Sequence, residues 1–307
     1  MRGLVIVNPN ATSTTPRARE VLVGALAYQL QLRVAHTSHR GHAAELAAQA
    51  RAEGLDIVVA LGGDGTVHEV VNGMLGEAGP GPDVPKLGIV PGGSANVFIR
   101  SLGYPVDPVE ATGELISRIR AGSSRAVNLG MVNGQYFVIN FGLGIDAEII
   151  EDMEAARKAG KEATSMRYLS TTIRRFFKSD RTDPNLAVSV PGMPLIRGIY
   201  EAFVLNTAPI SYLGAVAMNP APDASLDAGL DLWAVRSLSF PAALGYGRRM
   251  FGSNGATSGR NIVSLHDLPG LTIMCDEPTK FQVDGEGMGV VDRVECRSVP
   301  DAIHVIV

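Results

Sequence analysis

Cysteine is scarce in this chain, since only Cys275 and Cys296 occur among its 307 residues. Two cysteines are too few for a disulfide framework, and neither belongs to a C-x-x-C pair, so we expect two free thiols in a reducing compartment, with one bridge as the alternative. Long apolar runs are also missing: none reaches the roughly 18 residues that span a bilayer. We therefore expect a cytoplasmic protein without a transmembrane segment, which at most lies on the inner face of a membrane.

The chain also lacks a strong charge of one sign. It has 27 Lys and Arg against 31 Asp and Glu, for a formal net charge of −4. This balance argues against a basic protein that binds nucleic acid through its global charge. Hydrophobic residues make up 46% of the chain, which excludes a disordered composition. At about 150 residues per domain, the length suggests about two domains.

Strands and helices alternate over the first 125 residues. Short apolar runs predict strands, and segments with apolar residues at helical spacing predict helices. The predicted strands are 4–7, 32–35, 56–61 and 87–90, and the predicted helices are 17–30, 42–53, 66–75 and 108–121. The alternation indicates an α/β domain over residues 1–125, with a mainly parallel sheet flanked by helices.

The second part of the chain, residues 126–299, is predicted to be a β-rich, largely antiparallel domain. Asn133-Gly134 lies between two apolar runs and predicts a type I′ hairpin. One helical insert is predicted at about 147–178. Further strands are predicted at 186–190, 196–206, 230–235, 271–275, 279–284 and 303–307. The last strand, at about 300–307, could return to the first domain.

A glycine-rich turn, Gly62-Gly63-Asp64-Gly65-Thr66, follows the third strand. Such a turn before a helix N-terminus favours an anion site, because several N–H groups can point at one ligand. Asp64 would repel a phosphate unless a cation lay between them, so it suggests Mg²⁺ held jointly with phosphates. Thr66 and Glu69 have the spacing of a capping box, which predicts a helix start at Thr66. The alternative is a tight turn with no ligand.

A second glycine-rich turn, 91–96, follows the fourth strand and offers Gly92, Gly93, Ser94 and Asn96 to the same sheet edge. Ligands of open α/β sheets bind at the carboxyl ends of the strands. Neither turn has the spacing of a P-loop or of the G-x-G-x-x-G fingerprint. The pair of turns therefore predicts a phosphate-binding edge of another type.

The segment GGDGTVHEVVNG, residues 62–73, resembles the signature of the diacylglycerol kinase catalytic domain family. That family includes bacterial soluble diacylglycerol kinases, sphingosine kinases and ceramide kinases, and it is distantly related to NAD kinases and phosphofructokinases. Further stretches resemble family motifs in the expected order. They are Val7-Asn8-Pro9, Thr37 with Gly41-His42-Ala43, PGGSANVFIR at 91–100, NFGLGIDA at 140–147 and Val283-Asp284-Gly285-Glu286.

The resemblance implies an ATP site on an NAD-kinase-like first domain and a lipid-substrate site on the second, with ATP in the cleft between them. It implies that Asp64 organises Mg²⁺ through water, that Glu286 is the general base, and that Asp284 supports the loop or the metal network. Asp227 would belong to a loop that holds structural Mg²⁺ in some members. The nucleotide would contact Asn8, Thr37, Gly62, Gly63, Gly65, Thr66, Gly92, Gly93, Ser94 and Asn96.

The chain departs from the family pattern at several positions. Val97 stands where Asp is common, and Ala228 stands where a second carboxylate is frequent, which puts the structural Mg²⁺ near Asp227 in doubt. The evenly spaced His36, His39 and His42 could form a metal cluster, although their loop is already assigned to the nucleotide.

Two segments of the second domain carry basic and apolar residues together. Residues 151–181 have a local balance of +3 and apolar residues at helical spacing, as basic helices on anionic membranes do. Residues 240–252 mix large apolar side chains with two arginines and could flank a lipid entrance. For both segments the alternative is a packed helix with a solvated face.

Taken with the resemblance, the sequence predicts an ATP- and Mg²⁺-dependent lipid kinase of phospholipid biosynthesis. We expect it to phosphorylate the hydroxyl of diacylglycerol at a membrane surface, giving phosphatidic acid. The alternatives are a kinase of a sphingoid base, of ceramide or of NAD, and a lipid- or nucleotide-binding protein without turnover. We expect no nucleic-acid partner and leave a homodimer open.

Overall fold

The structure, a computed structural model, describes residues 1–28, 31–158, 165–178, 184–252 and 259–307. Internal contacts divide the chain into two compact units. Unit 1 comprises Met1–Leu129 with Pro300–Val307, and unit 2 comprises Gly130–Val299.

Unit 1 is an α/β unit with a parallel sheet. Its strands are β1 (Arg2–Val7), β2 (Gln31–His36), β3 (Ile57–Gly62) and β4 (Lys86–Pro91), together with the start of β5 (Arg125–Val132). Its helices are α1 (Pro16–Ala27), α2 (His42–Ala52), α3 (Asp64–Leu75), α4 (Val97–Ser101) and α5 (Pro108–Ala121). The four parallel strands run in the order β2-β1-β3-β4, and the C-terminal end of the chain pairs with β4 through Val305 and Leu87.

The sequence pattern explains these elements. All six residues of β3 are buried, as expected for a central strand covered on both faces. Helix α5 begins after Asp107, whose carboxylate accepts from the N–H groups of Val109 and Glu110, and ends at Gly122, which has a φ of 68°. The predicted mainly parallel first domain is confirmed, and so is the strand-rich antiparallel character of the second. In unit 1, the short α4 was not predicted.

The predicted capping box at Thr66 is wrong. Helix α3 begins two residues earlier, at Asp64, with Gly63 as its N-cap and no side-chain cap. Thr66 is the third residue of the helix, and its Oγ1 accepts from Asn8 Nδ2 at 3.1 Å. Glu69 accepts from N–H groups outside the helix, those of Gly41 and Ala43. The two side chains that would have formed the capping box are therefore hydrogen-bonded to residues distant in sequence.

Unit 2 is built on an antiparallel sheet. Its strands are the end of β5, β6 (Gln135–Phe137), β7 (Asn140–Leu143), β8 (Leu186–Ser189), β9 (Ile196–Ile199), β10 (Glu201–Leu205), β11 (Ser211–Leu213), β12 (Val216–Met218), β13 (Leu230–Val235), β14 (Ile262–Leu268), β15 (Gly270–Val283) and most of β16 (Glu286–Val305). Its helices are α6 (Ile145–Lys158), α7 (Ser165–Lys178) and α8 (Phe240–Met250). The main order is β14-β13-β10-β7-β15-β16, and the core includes Phe137, Phe141 and Leu232.

Several predicted elements of unit 2 have different limits in the structure. The hairpin at Asn133-Gly134 is present, with positive φ at both residues. The strand predicted at 196–206 is divided into β9 and β10, whereas those predicted at 271–275 and 279–284 belong to the single strand β15. The insert predicted at 147–178 contains α6 and α7, and its residues 159–164 lie outside the described part of the chain.

Both cysteine thiols are free, and burial raises the pKa of Cys296 to about 12. None of the described helices is both long and apolar enough to cross a bilayer.

Candidate active site

The turns that follow β1 to β4 lie side by side at one edge of the unit 1 sheet. Val7 pairs with His36 on one side and with Leu61 on the other, so the three strands end level with one another. Backbone hydrogen bonds continue into the turns. Thr37 donates to the carbonyl of Val7 at 2.9 Å, Asn8 to that of Leu61 at 3.0 Å, and Gly92 to that of Gly62 at 2.8 Å. The sheet thus places four candidate turns next to one another.

The two glycine-rich turns approach each other so closely that side chains cannot fit between them. A Cβ built on Gly92 would lie 2.9 Å from the Cα of Gly62, and one built on Gly63 would lie 3.0 Å from the Cα of Gly93. Backbone atoms can therefore approach a ligand at this edge without a covering side chain. Ser94, beside the contact, is exposed.

Asn96 fixes the shape of the second turn. Its side chain is 5% exposed, accepts from the N–H of Gly93 at 2.9 Å and donates to the carbonyl of Gly93 at 2.7 Å. Its φ of 51° places it in the left-handed region that Asn tolerates better than most residues. The amide of Asn96 is thus committed to the turn, and Asn96 shapes the site from within.

Glu69 is a site residue that was assigned only to a capping box. Its two carboxylate oxygens accept from Gly41 at 2.9 Å and from Ala43 at 3.1 Å, which ties the first turn of α2 to α3. A glutamate at the sixth position of a helix gives no local signal for such a role. Only the packing of α2 against α3 brings these N–H groups to it.

Asp64 lies at the N-terminus of α3, where the helix dipole favours a negative charge. Its Oδ1 accepts from the backbone N–H of Phe98 at 3.1 Å, so the carboxylate links α3 to the unpredicted helix α4. The side chain is partly exposed between the two glycine-rich turns. It could therefore meet a cation or a water molecule that also contacts a phosphate.

Asp284 lies in unit 2, in the two-residue turn between β15 and β16. Asp284 and Gly285 have φ values of 49° and 80°, as in a type I′ turn between the paired residues Val283 and Glu286. The Asp284 carboxylate is 8% exposed. It accepts three backbone N–H groups, from Val138 at 2.9 Å, Ile139 at 2.8 Å and Asn140 at 3.1 Å.

Glu286 is the first residue of β16 and is partly exposed. The backbone on both sides of it is held by side chains. Gly285 donates to Gln282 Oε1 at 2.8 Å, and Gly287 donates to Glu154 Oε1 at 3.2 Å. The tip that presents the carboxylate is therefore fixed by its own strand and by helix α6.

Beneath the start of α6 lies a buried carboxyl group that was not singled out from the sequence. Glu201 is 7% exposed and accepts from Ile145 at 2.6 Å and from Asp146 at 3.0 Å. Burial, with a smaller contribution from the nearby charge of Asp146, raises the pKa of Glu201 well above its ordinary value. Gly144 has room for no side chain, since its Cβ would lie 2.6 Å from Glu201 Oε2.

The remaining candidate metal residues do not form clusters. Within the described residues, no group of three His, Cys, Asp or Glu side chains could hold a metal ion. Asp227 is exposed, and its N–H donates to Ser225 Oγ at 3.2 Å. His39 stacks on His42 at 4.8 Å, and Nδ1 of His42 accepts from the N–H of Ser38 at 3.1 Å.

Comparison with known families supports the interpretation of the sequence motifs in unit 1. The family model of the diacylglycerol kinase catalytic domain matches residues 2–132. This segment belongs to that domain family. The match includes every candidate nucleotide contact and Asp64, whereas Glu286 and Asp284 lie outside it.

Curated relatives match over part of their length. A "Diacylglycerol kinase" of Bacillus subtilis (strain 168) is 35% identical over 122 residues, which cover 40% of this chain and 38% of the relative. A "Probable lipid kinase YegS" of Shigella flexneri is 35% identical over 159 residues, which cover 50% of this chain and 51% of the relative. The chain thus spans about half the length, or less, of the curated relatives it matches.

Solved structures match over nearly the whole chain. Two chains from Bacillus anthracis str. Sterne, whose names include the words "diacylglycerol kinase", each cover 99% of this chain over 96% of their own. They are 23% and 25% identical, each with a TM-score of 0.76. This likeness establishes the fold of both units.

Proposed function

We propose that this protein is an ATP-dependent lipid kinase that transfers the γ-phosphoryl group of ATP to the hydroxyl of diacylglycerol. The observation that carries the proposal is the close contact of the two glycine-rich turns at the ends of β3 and β4 in a segment of this domain family. The names of the two curated relatives, a diacylglycerol kinase and a lipid kinase, support the acceptor class.

The nucleotide site in this proposal lies at the carboxyl edge of the unit 1 sheet. The N–H groups at the start of α3 and in the turn at Gly92-Gly93 would bind phosphate oxygens. Asn8 and Thr66, which are hydrogen-bonded to each other, would line the same edge. Thr37, Gly62, Gly65, Ser94 and Asn96 complete the proposed site.

The donor set at this edge fits a Mg²⁺ ion that is bound jointly by a carboxylate, water and substrate phosphates. Asp64 is the carboxylate that lies between the two glycine-rich turns, and Mg²⁺ in phosphoryl-transfer sites is bound by one or two carboxylates, by water and by substrate phosphates. Asp64 would hold the ion together with the phosphates, and the ion would neutralise charge on the transferred group. We do not extend this to Asp227, because Ala228 and the exposure of Asp227 leave no comparable set there.

Glu286 is the proposed general base. It accepts the proton of the acceptor hydroxyl while that oxygen forms its bond to the γ-phosphorus and the bond to the ADP oxygen breaks, which yields phosphatidic acid and ADP. A carboxylate on a tight turn suits this role, because the turn is held by Gln282 and Glu154. Asp284 would act as a positioning residue, since its carboxylate is occupied by three backbone N–H groups.

The test is ATP-dependent phosphorylation of diacylglycerol in anionic mixed micelles. We expect Glu286→Gln to lower turnover at least a hundredfold, the lower range for loss of a proton-transfer group. Asp64→Asn is expected to lower turnover strongly as well, because it removes the carboxylate that would hold Mg²⁺. Glu277→Gln and Asp292→Asn change exposed carboxylates elsewhere and serve as matched controls. Near-wild-type turnover of both site variants would refute the mechanism. Transfer to a sphingoid base or to ceramide, without transfer to diacylglycerol, would refute the acceptor.

This function would place the protein in the cytoplasm, acting at a membrane that supplies its substrate. A role in phospholipid biosynthesis follows from the proposed product.

A further inference from the structure

Helix α6 of unit 2 begins over a glycine of the sheet. Gly142 of β7 is paired with Gln282 of β15 on one side and with Phe203 of β10 on the other. A Cβ built on Gly142 would lie 3.0 Å from Nε2 of Gln282 and 3.0 Å from Oδ2 of Asp146, the second residue of α6. The amide group of Gln282 and the carboxyl group of Asp146 therefore lie together over Gly142, in the space that a side chain would fill.

The side-chain amide of Gln282 has a defined orientation. Its Oε1 accepts from the N–H of Gly285 at 2.8 Å, so this atom is the carbonyl oxygen and Nε2 is the donor. Gln282 is 2% exposed, and a buried amide donor requires an acceptor. Asp146 is 8% exposed, and its carboxylate offers acceptors only. The two side chains are therefore chemically complementary, with a donor on Gln282 and an acceptor on Asp146.

Glu201 of β10 fixes the backbone that carries Asp146. Its carboxyl oxygens accept from the N–H groups of Ile145 at 2.6 Å and of Asp146 at 3.0 Å, the first two residues of α6. The preceding residue, Gly144, has a φ of 108°, and a Cβ built on it would lie 2.6 Å from Oε2 of Glu201. The chain can therefore enter α6 this close to Glu201 only with glycine at position 144, and the start of the helix is held against β10.

Helix α6 also contacts the β15–β16 hairpin on both sides of the turn that leads to Glu286. The carboxylate of Glu151 accepts from Nζ of Lys280 on β15. The carboxylate of Glu154 accepts from the N–H of Gly287 on β16 at 3.2 Å. One helix therefore contacts both strands that form this turn.

We propose that Asp146 is a positioning residue for Glu286 and acts through Gln282. Asp146 orients the amide of Gln282, and Oε1 of that amide holds the N–H of Gly285, the residue before Glu286. Asp146 touches no reacting group; it keeps the carboxylate of Glu286 in place while the acceptor hydroxyl loses its proton. The inference rests on the proposed function, because Glu286 is the general base there. A displacement of about 1 Å at a reacting group can lower a rate about a hundredfold, so the orientation of this turn affects turnover.

The test is a double-mutant cycle between Asp146 and Gln282, measured as kcat and KM in the lipid kinase assay. Gln282→Glu keeps an acceptor for Gly285 but places a second carboxylate beside that of Asp146, and it is expected to lower kcat about tenfold. Adding Asp146→Asn to that variant places an amide donor beside the new carboxylate, and it is expected to restore kcat to within about threefold of wild type. The KM for ATP should stay within about twofold in each variant, because the proposed nucleotide contacts lie in unit 1.

Three further variants separate positioning from general stability. Asp146→Ala removes the acceptor beside Nε2 of Gln282 and is expected to lower kcat about tenfold, whereas Asp146→Asn alone keeps an acceptor oxygen and should stay within about threefold. Asp231→Asn is the matched control, since Asp231 is a 2% exposed carboxyl group on β13 of the same sheet, hydrogen-bonded to His266 and Asp267. It should leave kcat within about twofold, whatever its effect on stability. Thermal unfolding midpoints give a temperature at which the variants are folded.

Hydrogen exchange at the backbone amide of Gly285 gives a second measurement, which needs neither ATP nor lipid. This amide donates to Gln282, so its exchange reports on the orientation of that side chain. We expect faster exchange in Asp146→Ala than in wild type, and wild-type exchange in Asp146→Asn.

The proposal is overturned if Asp146→Ala or Gln282→Glu keeps wild-type kcat, or if Asp146→Asn fails to restore kcat in the Gln282→Glu background. If Gln282→Glu alone does not fold, recovery of a folded, active protein on adding Asp146→Asn supports the proposal, and a double variant that does not fold overturns it. Equal exchange of Gly285 in wild type and Asp146→Ala also overturns it. A wild-type protein that phosphorylates no lipid would refute the proposed function, and the exchange of Gly285 would still show whether Asp146 positions the turn.

Discussion

Gly93 lies against the backbone of Gly63, and a Cβ added to Gly93 would be 2.7 Å from the Cα of Gly63. The two turns can meet only because both residues lack a side chain. The contact joins the turn after β3 to the turn after β4, and the first of these carries Asp64. Glycine is therefore required here by close approach of two backbones.

The first prediction concerns this contact. Gly93→Ala is expected to destabilise the protein by about 1–3 kcal/mol, because the backbone on the far side cannot move aside as a flexible side chain would. It should also raise the Kd for ATP, since the two turns must separate. Urea unfolding and calorimetric ATP titration measure the two effects.

Gly113→Ala is the control for that substitution. Gly113 lies in α5, and an added Cβ would meet nothing within 4 Å. Alanine there is expected to stabilise the protein by about 0.5–1 kcal/mol, because glycine disfavours a helix interior. Equal effects of the two substitutions would contradict the role given to the Gly63–Gly93 contact.

The second prediction concerns Asp284. Asp284→Ala leaves three buried N–H groups, those of Val138, Ile139 and Asn140, without their acceptor and should lower the free energy of unfolding by about 3 kcal/mol. Lipid kinase activity should fall as well, because the turn positions Glu286. Chemical denaturation checks the first effect at a temperature where the variant is folded.

Asp301→Ala separates backbone strain from hydrogen bonding in that measurement. Asp301 has a φ of 47°, close to the 49° of Asp284, but its side chain is exposed. A loss of about 1 kcal/mol is expected for alanine in this conformation. If Asp284→Ala is no more harmful than Asp301→Ala, the three hydrogen bonds contribute little.

The third prediction is a pH dependence from Glu201. Its pKa in the folded protein is raised well above the ordinary 4.5, chiefly by burial. The folded state therefore holds the proton more tightly than the unfolded state does, so Glu201 lowers stability as pH rises from about 4.5 towards the raised pKa. The slope of this contribution is at most about 1.4 kcal/mol per pH unit.

Glu201→Gln removes that titration. The unfolding free energy of the variant minus that of the wild type should therefore increase between pH 5 and pH 8, whatever constant offset the substitution adds. Urea unfolding of both proteins at three pH values gives the difference. A difference that stays constant with pH would show that the folded and unfolded pKa values of Glu201 are equal.

The fourth prediction concerns Glu69. Glu69→Ala removes the acceptor of the Gly41 and Ala43 N–H groups and should destabilise the protein by about 1–2 kcal/mol. It should also raise the KM for ATP, because the turn after β2 is no longer held by α3. Steady-state kinetics and thermal unfolding measure the two effects.

Glu45→Ala is the matched substitution for Glu69→Ala. Glu45 lies in the first turn of α2 and is exposed, with His39 Nε2 3.5 Å from its carboxylate. A change within about 1 kcal/mol and an unchanged KM are expected, since exposed pairs contribute little. A KM for ATP that rises equally in both variants would remove Glu69 from the site.

Local sequence predicted secondary-structure elements best where a residue pattern was compatible with only one type of element. The runs at 4–7 and 87–90, and the run at 56–61 after its first residue Asp56, are apolar and bounded by polar turns, so they predicted three buried parallel strands. The turn Asn133-Gly134 identified its hairpin because both residues tolerate positive φ. Helix α4 was missed, since five residues are too few to show a helical period. Strands β11 and β12, of three residues each, carry equally little pattern.

The residues of the candidate site also divide into those that local sequence indicates and those that it does not. The glycines at 62–63 and 92–93, with Asp64 between the turns, stand out because close backbone approach and a lone carboxylate each require particular residue types. Glu69, Glu154 and Glu201 do not stand out, because a carboxylate on a helix or strand has the same local sequence whether it faces water or distant N–H groups. Their partners are 26 or more positions away along the chain.

The amino-acid sequence alone determined the succession of strands and helices in unit 1 and the positions of its glycine-rich turns, because backbone conformation and hydrophobic period are local properties. Only the tertiary structure decided where carboxylates find their donors. Glu69, predicted to belong to a capping box, instead accepts hydrogen bonds from the start of α2. Asp284, predicted from its turn, accepts hydrogen bonds from three buried backbone amides. Hydrogen-bond partners of buried charges are chosen by packing between segments far apart in the chain, and no local pattern encodes that choice.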